Sequence, residues 1–107
     1  MYFCFFITMG ANLIKVIDGD TVDLSVDLGF HIFTKIRFRL AYINTPERGQ
    51  DGFKEASNRL IELLTNNEII VESSKSDKYG RWLGTLYVND ININNVLLNE
   101  RYAKEYH

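Results

Sequence analysis

The sequence has few of the residues that cross-link or divide a small protein. Cys4 is the only cysteine, so an internal disulfide is excluded, and Pro46 is the only proline. No Ser/Gly-rich linker, internal repeat or low-complexity tract interrupts the 107 residues. The sequence therefore predicts a single domain over residues 1–107. A chain of this length buries roughly two thirds of its unfolded surface around one core.

A strong excess of charge of either sign is also missing. The formal net charge is −2 and the pI is near 5.6, which excludes the strongly basic balance of proteins that coat nucleic acid through counterion release. The basic residues are concentrated in two runs, which are Lys35, Arg37 and Arg39, and Lys75, Lys78 and Arg81. A local positive face is one interpretation of these runs; for Lys35 and Arg37 a solvated strand face is the other.

The chain has no hydrophobic run long enough to cross a bilayer. Residues 1–9 are apolar and rich in aromatic side chains, but they are too few to span a membrane and no basic residue precedes them. A first β-strand is predicted there in preference to a signal peptide. We expect no membrane partner, and the cellular location stays open.

Alternating apolar and polar residues predict a β-hairpin in the first half of the chain. Residues 21–27 alternate with a period of two, which places Asp20 at the start of a strand. A turn follows over residues 27–31, and the alternation of apolar with basic residues up to Leu40 predicts the second strand. Because alternate residues share a face, Arg39 is expected to project away from the apolar layer, toward whatever the polar face binds.

The second half of the sequence predicts two helices and two further strands. Apolar residues at helical spacing over 56–67 indicate an amphipathic helix, and β-branched or aromatic character indicates strands over 68–72 and 82–88. Asn92 is predicted to cap a last helix, whose inward residues would be Val96, Leu97, Tyr102 and Ala103. The fold class predicted is β-rich α+β, a five-stranded oligonucleotide-binding (OB) Greek-key barrel with two helices.

Three short motifs carry oxygen donors and cations. They are Asp18-Gly19-Asp20-Thr21, Asn44-Thr45-Pro46-Glu47 with Arg39 shortly before it, and Asp77-Lys78-Tyr79-Gly80-Arg81. Hard cations such as calcium take carboxylate and carbonyl oxygens, and a guanidinium matches two phosphoryl oxygens. Each motif alone is common in turns. Their order along the chain favours a cation site facing a phosphate, the equipment of a phosphodiesterase.

With these motifs in this order, the sequence resembles the staphylococcal nuclease (thermonuclease) family over residues 13–107. The likeness is carried by residues 16–22, 39–47, 77–81 and 98–104. The resemblance implies an OB barrel with calcium-dependent nuclease activity on DNA or RNA, cutting between phosphorus and the 5′ oxygen. Single strands would be the preferred substrate, and a monomer is expected, with a dimer as the alternative.

The resemblance also implies a role for each matched residue. Asp20 would be the carboxylate ligand of the ion, Thr45 would offer its backbone carbonyl, and Asp18 would support the ion from outside. Arg39 and Arg81 would clamp the phosphoryl group, and Glu47 would act as general base or orient the attacking water. The nucleic-acid contacts would come from Lys78, Tyr79 and Tyr106.

Asn44 departs from the family pattern, which usually has a second aspartate ligand at this position. Fewer anionic ligands weaken calcium binding, so another divalent ion is an alternative. The rival hypothesis is an OB-fold domain that binds nucleic acid with weakened or lost catalysis. Retained Arg39, Glu47 and Arg81 favour the nuclease, and the alternative for Arg39 and Glu47 is a surface salt bridge without chemistry.

Overall fold

A computed structural model of the chain describes residues 7–76 and 82–106. In chain order the elements are β1 (Ile7–Asp18), β2 (Thr21–Asp27), β3 (Phe33–Leu40), β4 (Ile43–Asn44), α1 (Phe53–Leu64), β5 (Ile69–Ser76), β6 (Trp82–Val88), β7 (Ile91–Asn92), α2 (Ile93–Asn99) and β8 (Lys104–Glu105). No helix within these two described ranges is long and apolar enough to cross a membrane.

The five long strands form a closed barrel. Antiparallel pairs join the strands in the order β3-β2-β1-β5-β6, and a parallel pair between β3 and β6 closes the ring. Gly84 lies where this closure is tightest, because a Cβ there would come within 3.1 Å of both Phe38 and Val71. The mixed barrel with two helices confirms the predicted OB-type fold class.

The barrel is filled as the period-two patterns of its strands require. The inward residues Val22, Leu24 and Val26 of β2 are fully buried, and Phe38 of β3, opposite Val22, is buried with them, as is Leu40. The predicted hairpin is confirmed, with β3 beginning at Phe33. The predicted first strand is found from Ile7, and it continues to Asp18; residues 1–6 lie outside the described part of the chain.

Helix α1 covers one end of the barrel with Ala56, Leu60 and Leu64 buried. The prediction that this helix continues through residues 66 and 67 is wrong. Thr65 adopts an extended conformation with ψ 133° and its hydroxyl donates to the Ile61 carbonyl, and Asn66 has a left-handed φ of 60°. These local features end the helix at Leu64, which is also the last apolar residue at helical spacing.

Helix α2 begins where it was predicted to begin. The Asn92 side chain accepts a hydrogen bond from the Asn95 amide at 3.0 Å, which is the predicted N-cap. The helix is shorter than predicted and ends at Asn99, so Tyr102 and Ala103 reach the core from the segment that follows it. The turn predicted before β7 is confirmed, with φ of 51° at Asn89 and 66° at Asp90.

Asn94 on α2 joins three parts of the barrel. Its side-chain carbonyl accepts from the Leu86 amide at 3.2 Å, and its side-chain amide donates to the carbonyls of Ala41 and Gly84 at 3.1 and 3.2 Å. Asn94 is only 4% exposed. Since buried backbone groups need hydrogen-bond partners, this side chain fixes the end of β3 and its exit loop against β6 and α2.

Candidate active site

Asp20 lies at the centre of the polar cluster predicted from the sequence. It occupies the turn between β1 and β2 and is 7% exposed. One carboxylate oxygen accepts from the Thr21 hydroxyl at 3.1 Å, and the other accepts from the Thr45 amide at 3.0 Å. The Asp20 backbone carbonyl accepts from the Leu40 amide at 2.7 Å. Asp20 therefore ties the β1–β2 turn to the end of β3 and to the loop that follows.

Gly19 allows the close approach that these bonds need. A Cβ on Gly19 would lie 2.8 Å from the Ala56 Cβ and 3.0 Å from the side chain of Thr45. Distances this short exclude any side chain unless α1 or the Thr45 loop moves. The central glycine of the Asp-Gly-Asp motif therefore lets three elements meet at Asp20.

Arg39 is the buried cation of the cluster. Its side chain is 11% exposed, and Nη2 lies 3.4 Å from Asp20 Oδ2. The same nitrogen donates to Asn44 Oδ1 at 3.2 Å, and Nη1 donates to the Leu40 carbonyl at 3.0 Å. The structure thus pairs Arg39 with Asp20, and the alternative in which Arg39 forms a surface salt bridge to Glu47 is wrong.

Asp18 lies at the edge of the cluster, where burial and the charged groups around it shift its pKa. Partial burial raises the pKa of Asp18, and the negative charges of Asp20 and Glu47 raise it further, while Arg48 and Arg39 lower it. Asp18 thus carries the kind of pKa perturbation, by burial and by neighbouring carboxylates, that is common at functional sites. Asp18 therefore lies close enough to Asp20 and Glu47 for their charges to act on it.

Glu47 begins the exposed loop that leads to α1. Its backbone amide donates to Gln50 Oε1 at 2.7 Å, and the Gln50 amide donates to the Glu47 carbonyl at 2.9 Å. These bonds shape the loop while the Glu47 side chain remains exposed. Arg48 lies with its guanidinium carbon 5.8 Å from the centre of the Phe53 ring.

Tyr106 lies beside the cluster, next to Arg39. Its ring centre is 5.8 Å from the guanidinium carbon of Arg39, and 52% of the residue is exposed. The Tyr106 amide donates to the Tyr42 carbonyl at 2.9 Å, next to the pairing of β4 with β8. An exposed ring over a cation offers a surface on which a base can stack.

Sequence reasoning missed two residues that lie beside the candidate active site. Tyr42 is 70% exposed with a left-handed φ of 64°, and its carbonyl anchors Tyr106. Arg48 adds a cation near Asp18. The position of Arg48 next to Glu47 could have indicated that it lies near the site. No feature of the sequence indicated the conformation of Tyr42.

The third motif of the sequence lies outside the described residues. This applies to the catalytic prediction for Arg81 and to the nucleic-acid predictions for Lys78 and Tyr79. The described residues contain the first two motifs, and they bring Asp20, Arg39, Asn44 and Thr45 into direct contact.

The donor chemistry of the cluster suits a hard divalent cation. All its side-chain acceptors are oxygens, and Thr45 Oγ1 is buried without a hydrogen-bond partner among the described residues. Asn44 contributes a neutral amide oxygen, and within residues 7–76 and 82–106 no group of three or more acidic, histidine or cysteine side chains is arranged to hold a metal. The residues therefore fit an oxygen-ligated ion held with less protein charge than three carboxylates would give.

Comparison with known proteins finds relatives of the chain among nucleases and other proteins. Residues 37–107 match the family model described as staphylococcal nuclease homologue. A micrococcal nuclease of Shigella flexneri is 34% identical over 104 residues, covering 89% of this chain and 57% of the relative. The Escherichia coli protein named Protein ParB is 35% identical over 78 residues, covering 73% of this chain and 41% of the relative.

A further relative is an uncharacterized endonuclease of Escherichia coli O157:H7. It is 28% identical over 96 residues, covering 89% of this chain and 60% of the relative. The chain thus spans about half the length of the curated relatives it matches.

Proposed function

Because this chain belongs to the staphylococcal nuclease homologue family, we propose that it is a nuclease that hydrolyses phosphodiester bonds of DNA or RNA. The observation that carries the proposal is the buried contact of Arg39 with Asp20 at 3.4 Å, beside Thr45 and Asn44. A buried guanidinium held by oxygen acceptors is suited to stabilise negative charge that develops on a phosphoryl group. We propose calcium, or another divalent ion, as the cofactor and single strands as the preferred substrate.

Four residues would hold the ion: Asp20, Asp18, Asn44 and Thr45. When bound, the ion supplies positive charge at the phosphate and lowers the pKa of a water molecule. The protein's part is to keep these donors together before substrate arrives. The bonds from Thr21 and Thr45 orient the Asp20 carboxylate, and the Gly19 contact keeps the Thr45 loop in place.

Arg39 would bind the nonbridging oxygens of the phosphate. Its bonds to the Leu40 carbonyl and Asn44 fix the guanidinium plane, so little reorganisation is needed when the charge increases. Arg81 is proposed as a second cation on the same group. Together they would stabilise the pentacoordinate arrangement more than the substrate, which is the condition for a faster chemical step.

Glu47 would take a proton on its carboxylate as water attacks phosphorus and the bond to the 5′ oxygen breaks. Its exposed side chain, on a loop closed by the Gln50 bonds, leaves room for water on the solvent side of the site. Lys78, Tyr79 and Tyr106 are proposed to hold the terminal phosphate and adjoining bases. The Tyr106 ring, already packed against Arg39, supports this assignment.

The proposal is tested by incubating the protein with end-labelled single-stranded DNA over a calcium titration and in chelator. Cleavage that requires the ion and is lost in Glu47→Gln is expected. The matched control is Glu55→Gln, which removes an equally exposed carboxylate from α1. Cleavage unaffected by chelator or by Glu47→Gln would overturn the mechanism, and binding without cleavage by wild type would favour the nucleic-acid-binding rival.

A further inference from the structure

A group of cations lies on the outer face of the barrel, beyond the candidate active site. Lys15 on β1 is opposite Asp23 on β2, and Asp23 is opposite Arg37 on β3. Directly opposed residues share a face of a sheet, and Lys35 shares the face of Arg37 because it is two residues away on the same strand. We refer to Lys15, Lys35 and Arg37 as the basic face.

Asp23 binds two of these three cations, Arg37 and Lys35. Arg37 donates from Nε and Nη2 to the two Asp23 oxygens at 2.8 and 3.1 Å, and the Lys35 ammonium lies 3.5 Å from Asp23. The Asp23 side chain is 2% exposed, whereas the side chains of Arg37 and Lys35 are 53% and 61% exposed. The carboxylate is covered while the cations face solvent, so a ligand approaching this face meets net positive charge on an acidic protein.

The basic face is continuous with the active site at one end. Arg39 follows Arg37 on the same face of β3, and its row across the sheet contains Thr21 and Asp18. At the other end the face reaches the exposed ring of Phe33, which is 57% exposed. Arg39 is six positions after Phe33 along β3, which corresponds to a length of about 20 Å at ~3.3 Å per residue.

The hairpin tip beyond Phe33 exposes a second aromatic ring. Phe30 is 94% exposed and has a left-handed φ of 55°. The turn is held by hydrogen bonds between Leu28 and Ile32 at 2.9 Å and from the Gly29 amide to Asp27 at 2.8 Å. Asp27 is opposite Phe33 and places a negative charge at this end of the face, so the cations between the tip and Arg39 are opposed by Asp27 as well as by covered Asp23.

We propose that the basic face and Phe33 form an extended subsite for single-stranded nucleic acid, running from the phosphate at Arg39 toward the hairpin tip. This inference rests on the proposed nuclease function and adds the length of substrate that the protein grips. Cations spaced along a strand match the repeating phosphates of a polynucleotide. An exposed ring in line with them gives an unpaired base a stacking partner, which a paired duplex or an acidic peptide does not exploit.

The test measures binding, in chelator, of fluorescent single strands of about 12 and about 3 nucleotides, since OB folds cover about 4–16 nucleotides. The variant Lys15→Gln with Lys35→Gln leaves the Arg37–Asp23 bond intact. We expect it to weaken binding of the longer strand and to lower the slope of log affinity against log salt by about 1.4, or ~0.7 for each lost phosphate contact. The matched control, Lys54→Gln with Arg101→Gln, removes two exposed cations outside this face.

A second variant tests the stacking surface. Phe33→Ala is expected to weaken binding of the longer strand about 10-fold without changing the salt slope, because stacking is not an ionic contact. Its control is Ile91→Ala, since Ile91 is 54% exposed on β7, away from the basic face. Thermal unfolding of every variant separates lost binding from lost folding.

The outcomes separate this inference from the nuclease proposal. Wild-type affinity and salt slope in the double lysine variant, or an equal loss in its control, would overturn the subsite even if the protein cleaves DNA. Competition by polyglutamate as effective as by the unlabelled strand would also overturn it, in favour of a site for acidic peptides. A strand bound through the basic face but never cleaved would uphold the subsite and overturn the nuclease.

Discussion

Arg39 lies against Asp20, with Nη2 3.4 Å from Oδ2, and the same nitrogen donates to Asn44 Oδ1. One buried guanidinium thus neutralises the carboxylate proposed as the main ligand of the ion and occupies the side-chain carbonyl of another proposed ligand. An ion at these oxygens would share Asp20 and Asn44 with Arg39, and the guanidinium, still held by the Leu40 carbonyl, would have more of its charge available for a phosphate. Ion and substrate are therefore expected to strengthen each other's binding.

Asn44→Asp places a second carboxylate beside Arg39 and Asp20. We expect calcium to bind about 10-fold more tightly, because the number of charged ligands is one of the properties that tune calcium affinity. Isothermal titration calorimetry measures the change, and Asn44→Ala is the comparison without an oxygen ligand. If Asn44→Asp and wild type bind calcium equally, residue 44 is not a ligand.

Arg39→Lys keeps the positive charge and removes the planar fork. Lysine cannot donate to the Leu40 carbonyl, Asn44 and a phosphate in one plane, so kcat should fall about 10²–10³-fold, as for loss of one transition-state donor. Single-turnover cleavage measures the chemical step. A variant that cleaves at the wild-type rate, with an unchanged melting temperature, would remove Arg39 from the chemistry.

Gly19→Ala places a methyl group 2.8 Å from the Ala56 Cβ and 3.0 Å from Thr45. The overpacking should lower the free energy of unfolding by about 1–3 kcal/mol and displace the Thr45 loop, so calcium binding should weaken as well. Urea denaturation measures the first effect. The control is Gly10→Ala, where the nearest atom is 3.9 Å away and no loss of stability is expected.

Asn94→Ala removes a side chain that bonds three backbone groups. The free energy of unfolding should fall by about 2–4 kcal/mol, because buried donors and acceptors lose their partners. Asn95→Ala, one position away on the exposed side of α2, should have a much smaller effect. Similar losses for the two variants would contradict the joining role of Asn94.

Asp23 should contribute to acid sensitivity. The Arg37 hydrogen bond lowers the pKa of Asp23 below its ordinary 3.8. Its stabilising contribution is therefore complete above the unfolded value and is lost as the pH falls through the lower folded value. Asp23→Asn should be less stable than wild type at neutral pH, with the difference shrinking in that acidic window. A difference that is constant with pH would show that the carboxylate charge is not the cause.

The sequence predicted the parts of the fold that depend on local periodicity. The strand over 21–27, the strand over 82–88 and the Asn92 cap follow from spacing and from one capping side chain. The end of α1 was placed too late: the last apolar residue at helical spacing is Leu64, where the helix ends, and Thr65 and the left-handed Asn66 turn the chain away.

The sequence predicted which residues form the candidate site better than it predicted the contacts between them. Motif order indicated Asp20, Arg39, Asn44 and Thr45, which the structure joins. The alternative salt bridge of Arg39 with Glu47 pairs residues that are closer along the chain than Arg39 and Asp20 are. Only the packing of the β1–β2 turn under the exit loop of β3, made tight by Gly19, decides that Asp20 is the neighbour.

The pairing of β4 with β8 sets Asn44 opposite Lys104. During translation Lys104 is synthesised long after Asn44. Until Lys104–Glu105 has left the ribosome, β4 has no β8 with which to pair. The loop that carries Asn44 and Thr45 is then supported on one side only. Ion and phosphate binding would accordingly be acquired late in translation, after most of the barrel strands have been made.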